Sequence, residues 1–256
     1  MKIRFAGSSH VGMKRQANED NFFLLGKENL YVVADGMGGH SSGEVASQIA
    51  VEALANFFVD TSRDTEITWP FREDKALGYD ENRLMTGIRL SNRRVFEMAQ
   101  SDLRFRGMGT TIVGMSCGSE GALFGHVGDS RGYCIREDGI FQLTEDHSLL
   151  NDYMKVHALT PEEIEAFPHK NVIVRALGMK DDVAVDLIPV IPRVNDIYLL
   201  CSDGLSGMIS DEVIWSSVRE NRDDLEKACQ DLIAKANAAG GTDNVTAVLV
   251  GFYSDS

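Results

Sequence analysis

The sequence predicts an α+β fold with mainly antiparallel sheets. Runs rich in β-branched and aromatic residues come in neighbouring groups, and residues with helical spacing form one pair of segments plus a late one, so strict strand-helix alternation is absent. A hydrophobic content of 43%, with 24 Gly and only 5 Pro, supplies enough apolar surface for a substantial core.

In chain order, Phe22 to Leu25 and Leu30 to Ala34 read as strands. A helix over 44–58 follows from Val45, Ile49, Ala53, Leu54 and Phe57, and Ser41-Ser42-Gly43-Glu44 has the Ser-x-x-Glu form of a capping box at its start. Residues 61–80 are polar, contain Trp69-Pro70 and predict a loop. A second helix over 81–100 carries Leu84, Ile88, Val95 and Met98 on one face. Thr110 to Met115, Ala122 to Val127 and Gly132 to Ile135 are the next strands.

Residues 148–175 then hold only short helical pieces, one opened by Thr160-Pro161-Glu162-Glu163, and an excursion of that length commonly faces substrate. Strands at Val183 to Ile188, Ile197 to Cys201 and Val245 to Phe252, and a helix carrying Leu225, Cys229, Leu232 and Ala236, complete the chain. No linker-like boundary or internal repeat interrupts residues 1–256, so a single domain is expected.

Composition excludes several function classes. Lys plus Arg total 25 against 39 Asp plus Glu, a formal charge of -14, which lacks the basic footprint of nucleic-acid or anionic-membrane binding. Met1-Lys2-Ile3-Arg4-Phe5 is no signal-peptide start, and the expectation is a cytoplasmic protein. Cys117, Cys134, Cys201 and Cys229 are far apart and read as reduced core residues rather than a disulfide framework or zinc ribbon.

The chemistry lies at the strand ends. Three apolar strands run into Asp35-Gly36, Asp129-Ser130 and Asp203-Gly204, while Asn18-Glu19-Asp20 and Thr242-Asp243-Asn244 immediately precede two others. In antiparallel sheets the start of one strand lies beside the end of its neighbour, so these acids can meet at one edge. A single Asp-Gly is usually just a turn. Five acidic sites brought together would repel unless divalent cations lay among them, and oxygen-only ligation favours Mg²⁺ or Mn²⁺ over zinc.

Asp35-Gly36-Met37-Gly38-Gly39-His40 allows a backbone carbonyl to approach a cation but has neither the Walker nor the dinucleotide spacing. His40 beside this turn is a candidate for catalysis or substrate positioning, whereas His147, His157 and His169 read as surface residues.

Arg15-Gln16-Ala17-Asn18-Glu19-Asp20, Asp35-Gly36-Met37-Gly38-Gly39-His40, Gly109-Thr110-Thr111, Gly128-Asp129-Ser130-Arg131, Ser202-Asp203-Gly204-Leu205 and Gly241-Thr242-Asp243-Asn244 stand in the order of motifs in metal-dependent Ser/Thr protein phosphatases. The chain resembles this type 2C, or PPM, family from about residue 5 to residue 250, in its bacterial form. The resemblance implies a four-layer α-β-β-α sandwich, with two central antiparallel sheets flanked by helix pairs and the metal site at one end.

It further implies that Asp35 bridges two tightly bound Mn²⁺ or Mg²⁺ ions, that Asp203 and Asp243 complete the first, and that Glu19 and the Gly36 carbonyl serve the second. Asp129 would join Asp203 at a third, weaker ion, Arg15 would hold substrate phosphate, and Asp20 and Asn244 would support the ligands from behind. Residues 148–175 look like the family's flap. Met37 stands where many eukaryotic members have a His, which leaves water at the metals or His40 as the source of the leaving-group proton.

The implied activity is hydrolysis of phosphoserine and phosphothreonine in proteins by a metal-activated water, by a monomer opposing a Ser/Thr protein kinase. The alternatives are a non-catalytic phosphoprotein-binding module of the same fold, or a narrow switch phosphatase acting on an anti-sigma-factor partner.

Overall fold

Along strand β3, Leu30–Met37, the residues Leu30, Val32 and Ala34 join an apolar cluster with two helices, whereas Tyr31 and Val33 join a second cluster with another sheet. A strand buried on both faces must be apolar almost continuously, which is how this segment reads. The same division repeats through the computed structural model, which describes residues 1–38, 42–64, 67–118, 121–168 and 172–254.

One sheet has the order β1-β11-β10-β7-β8, from Lys2–His10, Val245–Tyr253, Ile197–Cys201, Arg131–Arg136 and Gly139–Gln142. The other has the order β2-β3-β5-β6-β9, from Asp20–Leu25, β3, Ile112–Gly118, Gly121–Val127 and Asp186–Val190, with β4 (Gly109–Thr110) paired to β3. The strand pairs are antiparallel. Val113, Phe124, Tyr198, Leu200 and Val248 interlock between the sheets.

Helices α1 (Ser42–Arg63) and α2 (Tyr79–Ser101) cover the second sheet through Leu54, Phe58, Leu84 and Ile88. Gly87 lets them approach closely, since a Cβ there would stand 2.5 Å from Leu54 Cδ1. On the first sheet, α6 (Asp211–Glu220) and α7 (Leu225–Ala238) contribute Ile214, Val218, Cys229 and Leu232. The four layers are therefore helix pair, sheet, sheet, helix pair, as expected.

Two helical segments, α3 (Leu149–Met154) and α4 (Pro161–Glu165), lie in the 148–175 excursion. The second has the full capping box, with Thr160 N donating to Glu163 at 2.8 Å and Glu163 N donating to Thr160 Oγ1 at 3.3 Å. Ser41, in the capping box expected for α1, lies outside the described residues. The predicted loop is shorter than 61–80 because α1 continues to Arg63, and Trp69 anchors it edge-on against Phe57 at 5.6 Å. Among the described residues no helix is long and apolar enough to cross a membrane.

Candidate metal centre

The two sheets deliver their acidic strand ends to the same place. Asp20 and Asp35 are direct partners across β2 and β3, and Gly36 N extends that pairing by donating to Glu19 O at 3.1 Å. Thr111 pins Asp35 from the neighbouring chain segment: Asp35 N donates to its Oγ1 at 3.0 Å, and its own N–H donates to Asp35 O at 2.8 Å. The Thr111 hydroxyl also bonds the Ser130 hydroxyl at 2.6 Å, which ties the Asp129 turn to the Asp35 turn.

From the other sheet, β10 ends at Cys201 beside Ala247 of β11, so Asp203, at the start of α5 (Asp203–Ser206), comes next to Asp243. Ser202 Oγ and Thr246 Oγ1 both donate to Asp20 Oδ2, at 2.7 and 2.6 Å. These two bonds cross from sheet to sheet, and Asp20 thereby joins the two halves of the site.

Asn244 holds the N-terminal loop against them. Its Oδ1 accepts from Glu19 N at 2.8 Å, and its Nδ2 donates to Val11 O and Ala17 O at 2.9 Å each. Gly36 is required by close approach, because a Cβ there would collide with Gly43 O and stand 2.6 Å from Glu19 O. A Cβ on Gly43, in the first turn of α1, would lie 2.7 Å from Glu19 Oε1, so the Glu19 carboxylate rests at the positive end of that helix.

The electrostatics are those of crowded acids, with Arg15 beside Asp243 on the exposed side. Burial, reinforced by Asp20, Asp203, Asp129 and Asp243, drives the Asp35 carboxyl well above the usual carboxylate range, and a hydrogen bond joins it to Asp203. Asp203 is itself raised by burial and by Asp243. Burial lifts Asp129 to about 7, with Asp203 and Asp146 adding to it, and lifts Asp20 to about 6. Asp129 Oδ1 and Asp20 Oδ1 are buried with no hydrogen-bond partner among the described residues.

Unsatisfied carboxylate oxygens inside a group of mutually repelling acids fit hard divalent cations, which accept oxygen ligands and remove the repulsion. Asp35, Asp203, Asp243 and Asp129 are the carboxylates that act on one another here.

Arg15 sits at the mouth of this cluster. Its Nη2 donates to Asp243 Oδ2 at 2.7 Å, and it feels Glu19 and Asp35 as well. The guanidinium side chain is 51% exposed and thus accessible to an incoming anion. His40 lies outside the described residues, as does His169.

One expectation is overturned nearby. His147 is not at the surface: it is 3% exposed and stacks on His126, itself 1% exposed, with ring centroids 4.6 Å apart. Both belong to a group with Asp186 whose candidate ligand atoms lie within 4.8 Å of one another. The available signal was His126 standing inside the apolar run Leu123 to Val127, where a polar ring must find a buried partner.

The chain is similar to known protein phosphatases over nearly its whole length. The family model for protein phosphatase 2C matches residues 6–249. Protein phosphatase PhpP of Streptococcus pneumoniae serotype 2 is 38% identical over 245 residues, 94% of each chain. The serine/threonine phosphatase of S. agalactiae superposes with a TM-score of 0.85 at 32% identity, covering 98% of this chain and 100% of that one. The catalytic domain of the serine/threonine protein phosphatase PstP, solved in complex with two manganese ions, gives a TM-score of 0.79 at 32% identity, covering 98% and 99%.

Proposed function

The chain belongs to the protein phosphatase 2C family and is a protein Ser/Thr phosphatase, and on that premise we propose how its own residues divide the work. Asp35, Asp203 and Asp243 would hold one divalent ion, and Asp35, Glu19 and the Gly36 carbonyl would hold a second. Asp129 with Asp203 would hold a third, more weakly. Mn²⁺ and Mg²⁺ both suit this oxygen-only set. When bound, such ions supply positive charge against the substrate phosphate and acidify water at neutral pH.

The remaining residues prepare that site. Asp20 fixes the two sheets to each other through Ser202 and Thr246, and Asn244 holds the Glu19 backbone against the Asp243 loop. Arg15 turns from Asp243 to the phosphate, to which its planar fork can donate two parallel hydrogen bonds. The excursion at 148–175 covers the peptide beside the phosphoresidue. The chain acts as one cytoplasmic catalytic domain, a monomer that removes phosphate placed by a Ser/Thr protein kinase.

The observation that carries this reading is the convergence of acids on Asp35: Asp20, Asp203, Asp129 and Asp243 all push its carboxyl up, and Asp20 and Asp129 each keep a buried oxygen without a hydrogen-bond partner among the described residues. Hydrolysis of a phosphothreonine peptide should disappear with EDTA and return with Mn²⁺ or Mg²⁺. Turnover that persists in metal-stripped protein contradicts it.

A further inference from the structure

The 148–175 excursion joins the body of the protein through a narrow neck. Ser148 bridges Ile173, Leu149 N donates to Val172 O at 2.9 Å, and Val174 N donates to His147 O at 2.9 Å. His147 closes this ladder and also grips the sheet beneath it with two bonds. Its N–H donates to Gly128 O at 3.0 Å, and Gly128 N donates to its Nδ1 at 3.0 Å. Gly128 immediately precedes Asp129, has φ +111, and is packed so closely that a Cβ there would stand 2.6 Å from Thr111 Cγ2.

The far edge of the ring faces the other side of the neck. His147 Nε2 lies 3.3 Å from Asp186 Oδ2, and Asp186 Oδ1 accepts from Arg175 Nη1 at 2.5 Å. Together with His126 this trio has the composition of a small metal site. The bonding argues otherwise. A neutral imidazole that accepts at Nδ1 carries its proton on Nε2, so the lone pair that a metal would use there is absent. Asp186 is already neutralised by the Arg175 guanidinium. The cluster therefore serves as a connection, with Nδ1 fixed on Gly128 and Nε2 near Asp186 without a formed hydrogen bond among the described residues.

We propose that His147 is a positioning residue of the phosphatase reaction: by gripping Gly128 from the neck of the excursion, it sets the Asp129 carboxylate and the substrate-covering segment in place together. The proposal rests on the assignment of Asp129 given above. Loss of the Gly128 bond releases the Asp129 turn, whereas loss of the Asp186 contact loosens only the outer side of the neck.

Two variants separate these contacts. In His147→Asn the side-chain Oδ1 falls where Nδ1 lies and can still accept from Gly128 N, while His147→Gln places its amide near the Nε2 position and leaves Gly128 N–H unpaired. Amide exchange at Gly128 in metal-free protein should remain slow in His147→Asn and accelerate in His147→Gln. With Mn²⁺ present, kcat on a phosphothreonine peptide should fall about tenfold or more in His147→Gln but stay close to the unsubstituted value in His147→Asn. Equal responses of the two variants in either measurement overturn the proposal. Absence of metal-dependent turnover in the unsubstituted protein strikes the ligand assignment instead, and Gly128 exchange then still decides the clamp.

Discussion

Asp20 and Asp35 face each other across the β2–β3 pair, two acids in one cross-strand position at the junction of both sheets. Like charges directly opposite one another destabilise a sheet, and here burial adds to the cost. Asp20 is nevertheless tied by Ser202 and Thr246, so its place is held by a bond network rather than by solvent. Replacing Asp20 with Asn should raise the stability of metal-free protein at neutral pH by on the order of 1–3 kcal/mol, since no charge then has to be kept in the interior. The same change should weaken Mn²⁺ binding about 10–100-fold. Thermal melts with EDTA and with Mn²⁺ should move in opposite directions.

Raised carboxyls give a pH dependence with a definite sign. Asp129, at about 7, and Asp20, at about 6, hold protons in the folded metal-free chain that the unfolded chain has already lost. Their contribution to stability is present at low pH and is lost as pH rises through those values. Cations must displace such protons, including the one favoured on Asp35, so Mn²⁺ affinity should climb between pH 5 and 7 by about tenfold per pH unit for each proton released. Melting temperature with and without Mn²⁺, followed across this range, should show a gap that widens with pH. The depressed histidines His126 and His147 affect both states alike and drop out of the difference.

The sandwich and the acidic edge were legible because both rest on local pattern. Ile197 to Cys201 is apolar on both faces and ends at an aspartate, and the structure forms β10 over the same residues. Other elements take their form from distant partners. β1 reads as nothing in particular, since most of its residues are only partly buried, yet it follows β11 in register from Lys2 opposite Tyr253 to His10 opposite Val245. α6 was missed because only Ile214, Ser217 and Val218 are buried along it. The strand expected at Val183 to Ile188 forms instead over Asp186–Val190, where β6 offers its free edge. His147 carries no local sign of burial, because its partners Gly128, His126 and Asp186 come from elsewhere in the chain.

Arg15 bonds Asp243 while half exposed, and a solvent-screened pair of this kind contributes only about 0–1 kcal/mol to folding. Arg15→Ala should leave the melting temperature nearly unchanged. Its effect should appear in KM for phosphopeptides, because a phosphate clamp holds ground state and transition state alike. Lys at this position should restore little, having no planar fork. A collapse of kcat at unchanged KM would assign Arg15 a different role.

Asp129 approaches the cluster through Asp203 and has one buried oxygen without a partner among the described residues. Asp129→Asn should leave the two tighter ions in place and remove the weak one. Turnover of phosphopeptides should then fall strongly, and the requirement for high Mn²⁺ should vanish from the activation curve. Unchanged kinetics across the Mn²⁺ range would reduce Asp129 to a turn residue supporting Ser130 and Arg131.

The central claim is that the strand-end carboxylates form one metal centre, and calorimetric titration of Mn²⁺ into metal-stripped protein, beside Asp203→Asn, tests it most directly. The account predicts two tight ions and a weaker one in the unsubstituted chain, with tight binding impaired when Asp203, which contacts Asp35 and lies beside Asp243, loses its charge. Identical titrations for the two proteins would contradict it.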